Sequence, residues 1–368
     1  LQLEQRANLL VNFRRPIVAV NDVVLEPRQQ ILRRDSVPAV ANGAGGETKA
    51  EMEAVLGLTT DELNKALYAF SQGLAQGKDE KALLANSVWL RNDGSLQVKE
   101  DFLQTLADWY AAEIYAEPFT DETVSDINDW CAKHTDNMIR KIVDSIKPND
   151  MLFLLNALVF DAKWEEKYKS SQILTENFTN ADGSKSSVTM LSSTENLYLS
   201  VPGGCGVAKP YADSGYYFVG LLPENAGQDI REFAASLTGE EWLKAWDGRS
   251  GRDVRTKIPE FKTEDATDLT AVLKSMGMTA MFDESKADFQ PLAAGKTDLY
   301  VSGVQQMTYL ELDRDGTRAA AVTGMTFAGK ALPMEEMEVY LDRPFVYLII
   351  DGGTGLPLFT GVTESIAP

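Results

Sequence analysis

The stretch Gly316-Thr317-Arg318-Ala319-Ala320-Ala321-Val322-Thr323-Gly324-Met325 decides how this 368-residue chain is interpreted. Its residues are small and uncharged apart from Arg318, and no proline occurs until Pro333. It follows a strand-like run, Leu299 to Leu312, through the turn Asp313-Arg314-Asp315-Gly316. Small residues with glycine and without proline allow a segment to be mobile and still able to become a strand.

Read as a strand, this segment has one small-to-apolar face and one face that carries a charge. The first face consists of Thr317, Ala319, Ala321, Thr323, Met325 and Phe327, and the second consists of Arg318, Ala320, Val322, Gly324 and Thr326. Because side chains alternate along a strand, the first face can bury while Arg318 stays in water. An alanine-rich surface loop or a short helix is the alternative, since alanine favours helices.

The rest of the chain predicts helices in the middle and strands towards the C-terminus. A capping box at Thr48 and a stop at Gly57 indicate one helix. A stripe of buried-type residues predicts a second helix over residues 125 to 143, after Ser125, through Ile127, Trp130, Cys131, His134, Met138 and Ile142. Apolar runs predict strands at Leu152 to Phe160, Tyr216 to Leu222 and Phe345 to Ile350. This order indicates an α+β fold.

The net charge of −20 restricts the partners that the chain can have. We expect no nucleic acid, no anionic membrane and no heparin-type polyanion, because binding to these needs clustered Lys and Arg. The charge is consistent with a soluble monomer. Cys131 and Cys205 lie far apart in sequence; the spacing leaves their pairing open, and buried free thiols are favoured.

No catalytic constellation stands out, so we expect a protein that is not an enzyme and needs no metal or cofactor. The single histidine, His134, lies on the helical stripe and is interpreted as a partly buried helix residue. The segment Gly43-Ala44-Gly45-Gly46-Glu47-Thr48 lacks the lysine of a phosphate-binding loop and is interpreted as a turn that enters a helix. Acidic residues number 55, so carboxylate pairs at catalytic spacing are expected by chance.

Many motifs in sequence order make the chain resemble the serpins, serine protease inhibitors that trap their targets by a conformational change. The matching motifs run from about Asn42 to the end of the chain: Asn86-Ser87-Val88-Trp89, Ile127-Asn128-Asp129-Trp130, Leu155-Asn156-Ala157, Lys163-Trp164, Phe178, Met190, Pro210-Tyr211, Leu222-Pro223, Ile258-Pro259-Glu260-Phe261, Met276-Gly277-Met278, Ala287-Asp288-Phe289, Asp342-Arg343-Pro344-Phe345 and Leu358-Phe359-Thr360-Gly361-Val362.

The resemblance implies one serpin-like domain over residues 1–368, with three β-sheets, about eight or nine helices and an exposed reactive loop at about 314–343. It implies a prokaryotic-type inhibitory member whose hinge is Gly316, Thr317, Arg318, Ala319, Ala320, Ala321, Val322 and Thr323. Counting along the loop places the bait bond at Lys330–Ala331, which predicts trypsin-like serine proteases as partners. The alternative bond, Ala331–Leu332, with Ala328 nearby, suits elastase-like enzymes.

Two departures from the family pattern have consequences. Residues 1–40 do not show the usual helix under the main sheet, although Asp35-Ser36-Val37 resembles a remnant of it. Arg314 and Arg318 stand where the family usually has Glu. We expect both side chains to be exposed, and we expect their presence to remove a hinge salt bridge that contributes ~0–1 kcal/mol. A non-inhibitory carrier or chaperone of the same fold is the rival function. We expect secretion or a cell-surface location, although the chain as given shows no signal peptide.

Overall fold

The computed structural model describes residues 36–73, 80–212, 215–295, 298–317 and 337–367. Within these ranges the helices are α1 Ser36–Ala41, α2 Gly46–Leu56, α3 Thr60–Gln72, α4 Glu100–Tyr110, α5 Asp121–His134, α6 Ile230–Ala235, α7 Gly239–Asp247 and α8 Thr270–Met276. The strands are β1 Glu80–Arg91, β2 Glu113–Glu117, β3 Leu152–Lys163, β4 Ile173–Thr179, β5 Lys185–Glu195, β6 Tyr198–Val201, β7 Gly204–Pro210, β8 Tyr216–Pro223, β9 Val254–Pro259, β10 Phe261–Asp268, β11 Gln305–Leu312, β12 Gly316–Thr317, β13 Met337–Tyr340, β14 Phe345–Asp351 and β15 Pro357–Thr363.

The expected α+β fold is confirmed, but the described strands form four hydrogen-bonded sheets instead of the expected three. Two of the four contact each other through β3 and β11, and we call these two parts together the main sheet. One part has the order β12-β3-β1-β2, in which β3 is antiparallel to β1 and β2 is parallel to β1. The other part is the antiparallel pair β10-β11. Strand β11 contacts β3, but among the described residues no backbone ladder joins them. The sheet is therefore divided next to β3.

Two further sheets complete the fold. The first has the order β13-β9-β5-β4, with β13 parallel to β9. The second is antiparallel throughout in the order β15-β14-β8-β7-β6. The run at 345–350, predicted as a strand from its continuous apolar sequence, is β14 and is buried on both faces between β15 and β8. The predicted strands at Leu152 and Tyr216 are confirmed as well, each extended slightly at its end.

The boundaries of two helices differ from the sequence prediction. Helix α2 begins after Gly45, and Thr48 lies inside it with its Oγ1 accepting the backbone N–H of Asp288, so the predicted capping box at Thr48 is wrong. Helix α5 begins at Asp121 and ends at His134, and not at residue 143. Asp136 and Asn137 adopt left-handed backbone angles there, with φ of 49° and 62°, which stop the helix.

The apolar stripe that predicted a longer helix is nevertheless buried in one cluster. Ile127 and Trp130 of α5 pack with Ile139, Ile142 and Val143 from the segment that follows the helix. This cluster also contains Trp89 of β1 and Ala157 of β3, and Tyr309 of β11 packs against it. Helix α5 and the following segment therefore cover the place where the main sheet is divided.

Smaller predictions agree with the described residues. Cys131 is buried, Cys205 is half-buried, and both are free thiols. The segment from Gly43 to Thr48 does enter a helix, with the N–H of Gly45 donating to the carbonyl of Asp288. Helix α1 occupies part of the atypical N-terminal region, and residues 1–35 lie outside the described part of the chain. Of the helices described, none is long and apolar enough to cross a membrane.

Candidate functional site: the arm root

The turn before the small-residue segment is held by the carboxylate of Asp313. Asp313 Oδ1 accepts the backbone N–H of Asp315 at 2.7 Å and that of Gly316 at 3.1 Å. Backbone bonds close the same turn, since the N–H of Asp313 donates to the carbonyl of Gly316 at 2.9 Å. We call Asp313–Thr317 the arm root, because the small-residue segment of the sequence starts from this turn. An aspartate at the first position of a turn pre-forms it in this way.

Gly316 is needed where the arm root meets β3. Its φ is +149°, a backbone conformation that side chains other than hydrogen rarely allow. A Cβ atom at this position would lie 2.2 Å from the carbonyl oxygen of Ala162 and 2.6 Å from the Cα of Lys163. Glycine therefore lets the backbone approach β3 closely enough to begin a strand there, in the register Gly316 opposite Lys163.

Thr317 is the first side chain of the arm root that is inserted into the protein. It lies opposite Ala162 of β3 and is 2% exposed. Its Oγ1 lies 2.8 Å from the hydroxyl oxygen of Tyr211, so the buried hydroxyl is satisfied. Burial raises the pKa of Tyr211, which keeps the phenol neutral. The prediction that the face beginning with Thr317 buries is thus confirmed at its first residue.

Trp164 binds the turn through two hydrogen bonds. Its indole Nε1–H donates to the carbonyl of Asp313 at 2.9 Å, and its backbone N–H donates to the carbonyl of Asp315 at 3.1 Å. The indole stacks on the ring of Tyr211, with 4.6 Å between centroids and 7° between planes. Both rings are buried. The stacked rings of Trp164 and Tyr211, hereafter the aromatic plate, therefore bind Asp313 and Thr317 through their polar atoms, and the backbone of Trp164 binds Asp315.

The expected loss of a hinge salt bridge at Arg314 is wrong. Arg314 is exposed, as predicted, but its Nε lies 2.9 Å from Oε1 of Glu260 and its Nη2 lies 3.3 Å from Oε2. The backbone N–H of Arg314 also donates to Glu260 Oε1. The family pattern concerns position 314 alone, whereas the acidic partner of Arg314, Glu260, is 54 residues away in the chain. A pair this exposed contributes up to about 1 kcal/mol.

Asp313 provides a pH-dependent prediction. Burial raises the pKa of its carboxyl, and the charges of Asp315 and Glu260 add to the effect. Because the pKa is raised, ionised Asp313 destabilises the folded state at neutral pH, and this penalty disappears as the pH falls through the raised pKa. Asp313→Asn keeps the acceptor oxygen for the turn. We expect a higher melting temperature at pH 7, corresponding to a gain of at most about 1 kcal/mol in the free energy of unfolding, and no gain near pH 4.

Thermal unfolding of Asp313→Asn and Asp313→Ala at both pH values measures this effect. The alanine variant is the control, because it removes the charge and also the acceptor for the two backbone N–H groups, and we expect it to be destabilised. An asparagine variant with the same gain at pH 4 as at pH 7 would contradict the assignment to the carboxyl charge.

Only part of the predicted site lies in the described residues. Gly316 and Thr317 are there, whereas Arg318 to Thr323, Ala328, Lys330, Ala331 and Leu332 are outside them. The predicted loop range of 314–343 is too wide at its end, because Met337–Tyr340 is strand β13, paired in parallel with β9. Trp164, Tyr211 and Glu260 belong to the motifs that resemble the family, and the sequence assigned none of them a role at the site. Their aromatic and acidic character was the only available signal.

His134 lies away from the arm root, as the sequence interpretation requires. Its Nδ1 is 2.8 Å from the carbonyl oxygen of Trp130, and its Nε2 is 3.4 Å from Oε1 of Glu113 on β2. The pKa of Glu113 is lowered chiefly by a hydrogen bond from Tyr115, with further contributions from Trp130 and His134. No cluster of metal-ligating side chains occurs within the ranges that the structure describes. His134 thus belongs to the packing of α5 against β2.

The fold and the arm root define an α+β protein in which a chain segment starts a strand at the edge of a divided sheet. The family model for serpins, described as serine protease inhibitors, matches residues 37–365. Human Serpin B11 is 26% identical over 350 residues, covering 88% of this chain and 88% of that protein. The native state of tengpin, a thermophilic serpin, is 34% identical and has a TM-score of 0.86, covering 99% of this chain and 92% of that one.

Two other structural comparisons are informative. The latent state of tengpin, at the same 34% identity, has a lower TM-score of 0.80 and covers 99% of this chain and 96% of that one. Thyroxine-binding globulin with thyroxine has a TM-score of 0.81 at 20% identity, covering 99% of this chain and 96% of that one, which shows a shared fold alone. The chain belongs to the serpin family of serine protease inhibitors.

Proposed function

We propose that this serpin traps serine proteases that cut its reactive loop after Lys330. The observation that carries the proposal is Thr317, which is buried and already paired with β3 as the first residue of a strand. In the sequence, the next residues on the same face are Ala319, Ala321 and Thr323, all small and uncharged. A segment with this face can follow Thr317 into the sheet without burying charge or bulk.

The register at the arm root indicates where the segment would bind. If the two existing pairs continue along β3, Ala319 comes opposite Phe160 and Ala321 opposite Leu158. Phe160 is buried in the same cluster as Ala162, so this face points into the core. Arg318 comes opposite Asp161 on the other face, where opposite charges on neighbouring strands attract each other. Arg318 therefore fits the inserted strand even though the family usually has Glu at this position.

The trap itself uses the chemistry of the target. The serine Oγ of the protease attacks the carbonyl carbon of Lys330, the peptide bond to Ala331 breaks, and the amine of Ala331 leaves with a proton. An ester then joins the protease to Lys330. Serpin loop insertion is an established example of a strand added to a sheet, and inhibition requires it to be faster than hydrolysis of that ester.

Lys330 lies 14 residues beyond Gly316, and its positive side chain suits a trypsin-like specificity pocket. Cleavage at Ala331–Leu332 is the second possibility, because Ala331 and Ala328 suit the small apolar pocket of elastase-like enzymes. That bond places Pro333 two residues beyond the cut. Because proline restricts the chain at such a position, the bond after Lys330 is favoured.

Incubation with trypsin, chymotrypsin and elastase tests the proposal. We expect a covalent complex with trypsin that survives SDS, together with a released C-terminal peptide that begins at Ala331 by mass spectrometry. Lys330→Ala is the matched control, and it should lose the trypsin complex while the fold is unchanged. If all three enzymes cut the loop and none forms a complex, the proposal is wrong and a carrier or chaperone function is favoured.

A further inference from the structure

A buried ion pair lies next to the aromatic plate, with its ammonium group over the ring of Trp164. Lys209, near the end of β7, and Glu195, at the end of β5, are 2% and 8% exposed. Lys209 Nζ lies 2.8 Å from Glu195 Oε1. Charged residues are seldom this completely buried, because removing two charges from water costs several kcal/mol per ion. The pair therefore needs an explanation beyond the stability of the fold, since well-packed apolar residues would stabilise the site as much.

Polar neighbours fix the carboxylate of this pair. Ser193 Oγ donates to Glu195 Oε1 at 2.5 Å and lies 3.0 Å from Oγ1 of Thr256 on β9. The hydroxyl of Tyr168 lies 3.5 Å from the same serine oxygen. Burial raises the pKa of Tyr168, and the charge of Glu195 raises it further. These contacts hold the carboxylate in one position and keep the surrounding phenol neutral, so Lys209 has a fixed counter-ion.

The ammonium group of Lys209 faces the rings behind the arm root. It lies 4.7 Å from the ring centroid of Tyr168 and 5.4 Å from that of Trp164. A cation at these distances is attracted to the ring faces. Tyr211 comes two residues after Lys209, and its ring stacks on Trp164. Lys209 and Tyr211 thus hold the indole of Trp164, and Trp164 and Tyr211 hold Asp313, Asp315 and Thr317.

We propose that the Lys209–Glu195 ion pair positions the aromatic plate, and through it the arm root, and so determines what fraction of loop cleavages ends in trapping. This inference rests on the proposed function. Lys209 and Glu195 are positioning residues, because neither contacts the arm root itself. A plate that is loosely held would let the arm root leave β3, which delays strand insertion and leaves more time for hydrolysis of the ester.

The structure offers a matched control pair. Lys257 on β9 and Glu176 on β4 lie 2.7 Å apart in the sheet that also contains Glu195, and Lys257 Nζ lies 5.0 Å from the ring centroid of Tyr340. The geometry resembles that of Lys209, but both side chains are partly exposed, at 25% and 33%. Lys257→Met therefore removes a similar ion pair and a similar ring contact without disturbing the aromatic plate.

The first measurement is the number of inhibitor molecules consumed for each trypsin molecule trapped. This number minus one is the ratio of hydrolysis to trapping, and we expect Lys209→Met to increase that ratio about tenfold, which is about 1.4 kcal/mol between the two competing barriers. Lys209→Arg, which keeps the charge, should remain within about twofold of the wild type, and so should Lys257→Met. If the wild type traps trypsin and Lys209→Met has the same ratio as the wild type, the inference is overturned and the proposed function is left intact.

The second measurement is amide hydrogen exchange, which does not depend on inhibition. In Lys209→Met we expect at least about tenfold faster exchange at the N–H groups of Trp164 and Gly316, with little change in β14. A merely stabilising role would accelerate exchange throughout the protein. If the wild type traps no protease, the proposed function fails, and local exchange at the arm root still decides whether the ion pair positions it.

A buried glutamate without its partner can prevent folding. In that case the double variant Lys209→Met/Glu195→Met, which removes both charges, is used for both measurements. Localised exchange and a raised consumption ratio in this variant would support the inference. Values equal to those of the wild type would overturn it.

Discussion

Cleavage of the reactive loop between Gly324 and Leu332 is expected to raise the melting temperature by about 20 °C. In the described residues, only Gly316 and Thr317 pair with this edge of β3, and β11 pairs with β10 alone. A freed segment that fills the gap gains on the order of 12 backbone hydrogen bonds at roughly 1 kcal/mol net each. This gain is comparable to the whole free energy of unfolding of a typical domain.

Differential scanning calorimetry of intact and cleaved protein measures the change. The cut is made with a metalloprotease, which forms no ester with the loop, and is mapped by mass spectrometry. A nick at Gly183, in the exposed turn of residues 181–184 between β4 and β5, is the control, and we expect it to lower the melting temperature or leave it unchanged. Loop-cleaved protein that melts no higher than intact protein would mean that the segment does not insert, and the proposed function would fail.

Thr317→Arg is expected to convert the inhibitor into a substrate. The threonine is 2% exposed and its hydroxyl lies 2.8 Å from that of Tyr211, in a site with no room for a solvated guanidinium. Burying an unpaired charge there costs several kcal/mol. The cost falls on the first step of insertion, whereas hydrolysis of the ester in the protease is unaffected. We expect trypsin to cut the loop at an unchanged rate and to be released active.

Thr317→Val is the control for this variant, because it keeps the size of the side chain and adds no charge. It leaves the Tyr211 hydroxyl without this partner, at a cost of about 1–3 kcal/mol, and we expect it still to form complexes. Electrophoresis in SDS after incubation with trypsin separates the two outcomes. If Thr317→Arg forms as much complex as the wild type, burial of the side chain at this position does not control insertion.

Local pattern was sufficient for several features. The alternation of residues after Gly316 predicted that the side chain of Thr317 is buried. In the structure Thr317 pairs with Ala162 of β3, and this pairing places its side chain in the core. Continuous apolar sequence predicted the strands at Leu152, Tyr216 and Phe345, since strands buried on both faces need no alternation. The stripe containing His134 predicted a partly buried helix histidine, and the structure places it at the end of α5. Each of these depends on side chains close together in sequence.

Features that depend on distant residues could not be predicted in this way. Arg314 was expected to lose a salt bridge, and it binds Glu260 across two strands. The apolar stripe to residue 143 predicted one helix, but Asp136 and Asn137 end it, and the chain beyond still buries its apolar residues in the same cluster. The burial of these apolar residues was therefore predicted correctly, whereas the length of the helix was not. A pattern of apolar residues indicates which side chains are buried, but it does not determine the path of the backbone.

The sequence by itself determined the family, the α+β class and the small, uncharged face of the segment that follows Gly316. These are properties of residue order, which fixes what each segment is able to bury. Only the tertiary structure showed that the main sheet is divided beside β3, that Gly316 and Thr317 already begin a strand there, and that Trp164 and Tyr211 hold them. It also brought Lys209 and Glu195 together behind those rings, because contacts between residues far apart in the chain arise from packing, and packing is decided by the whole fold.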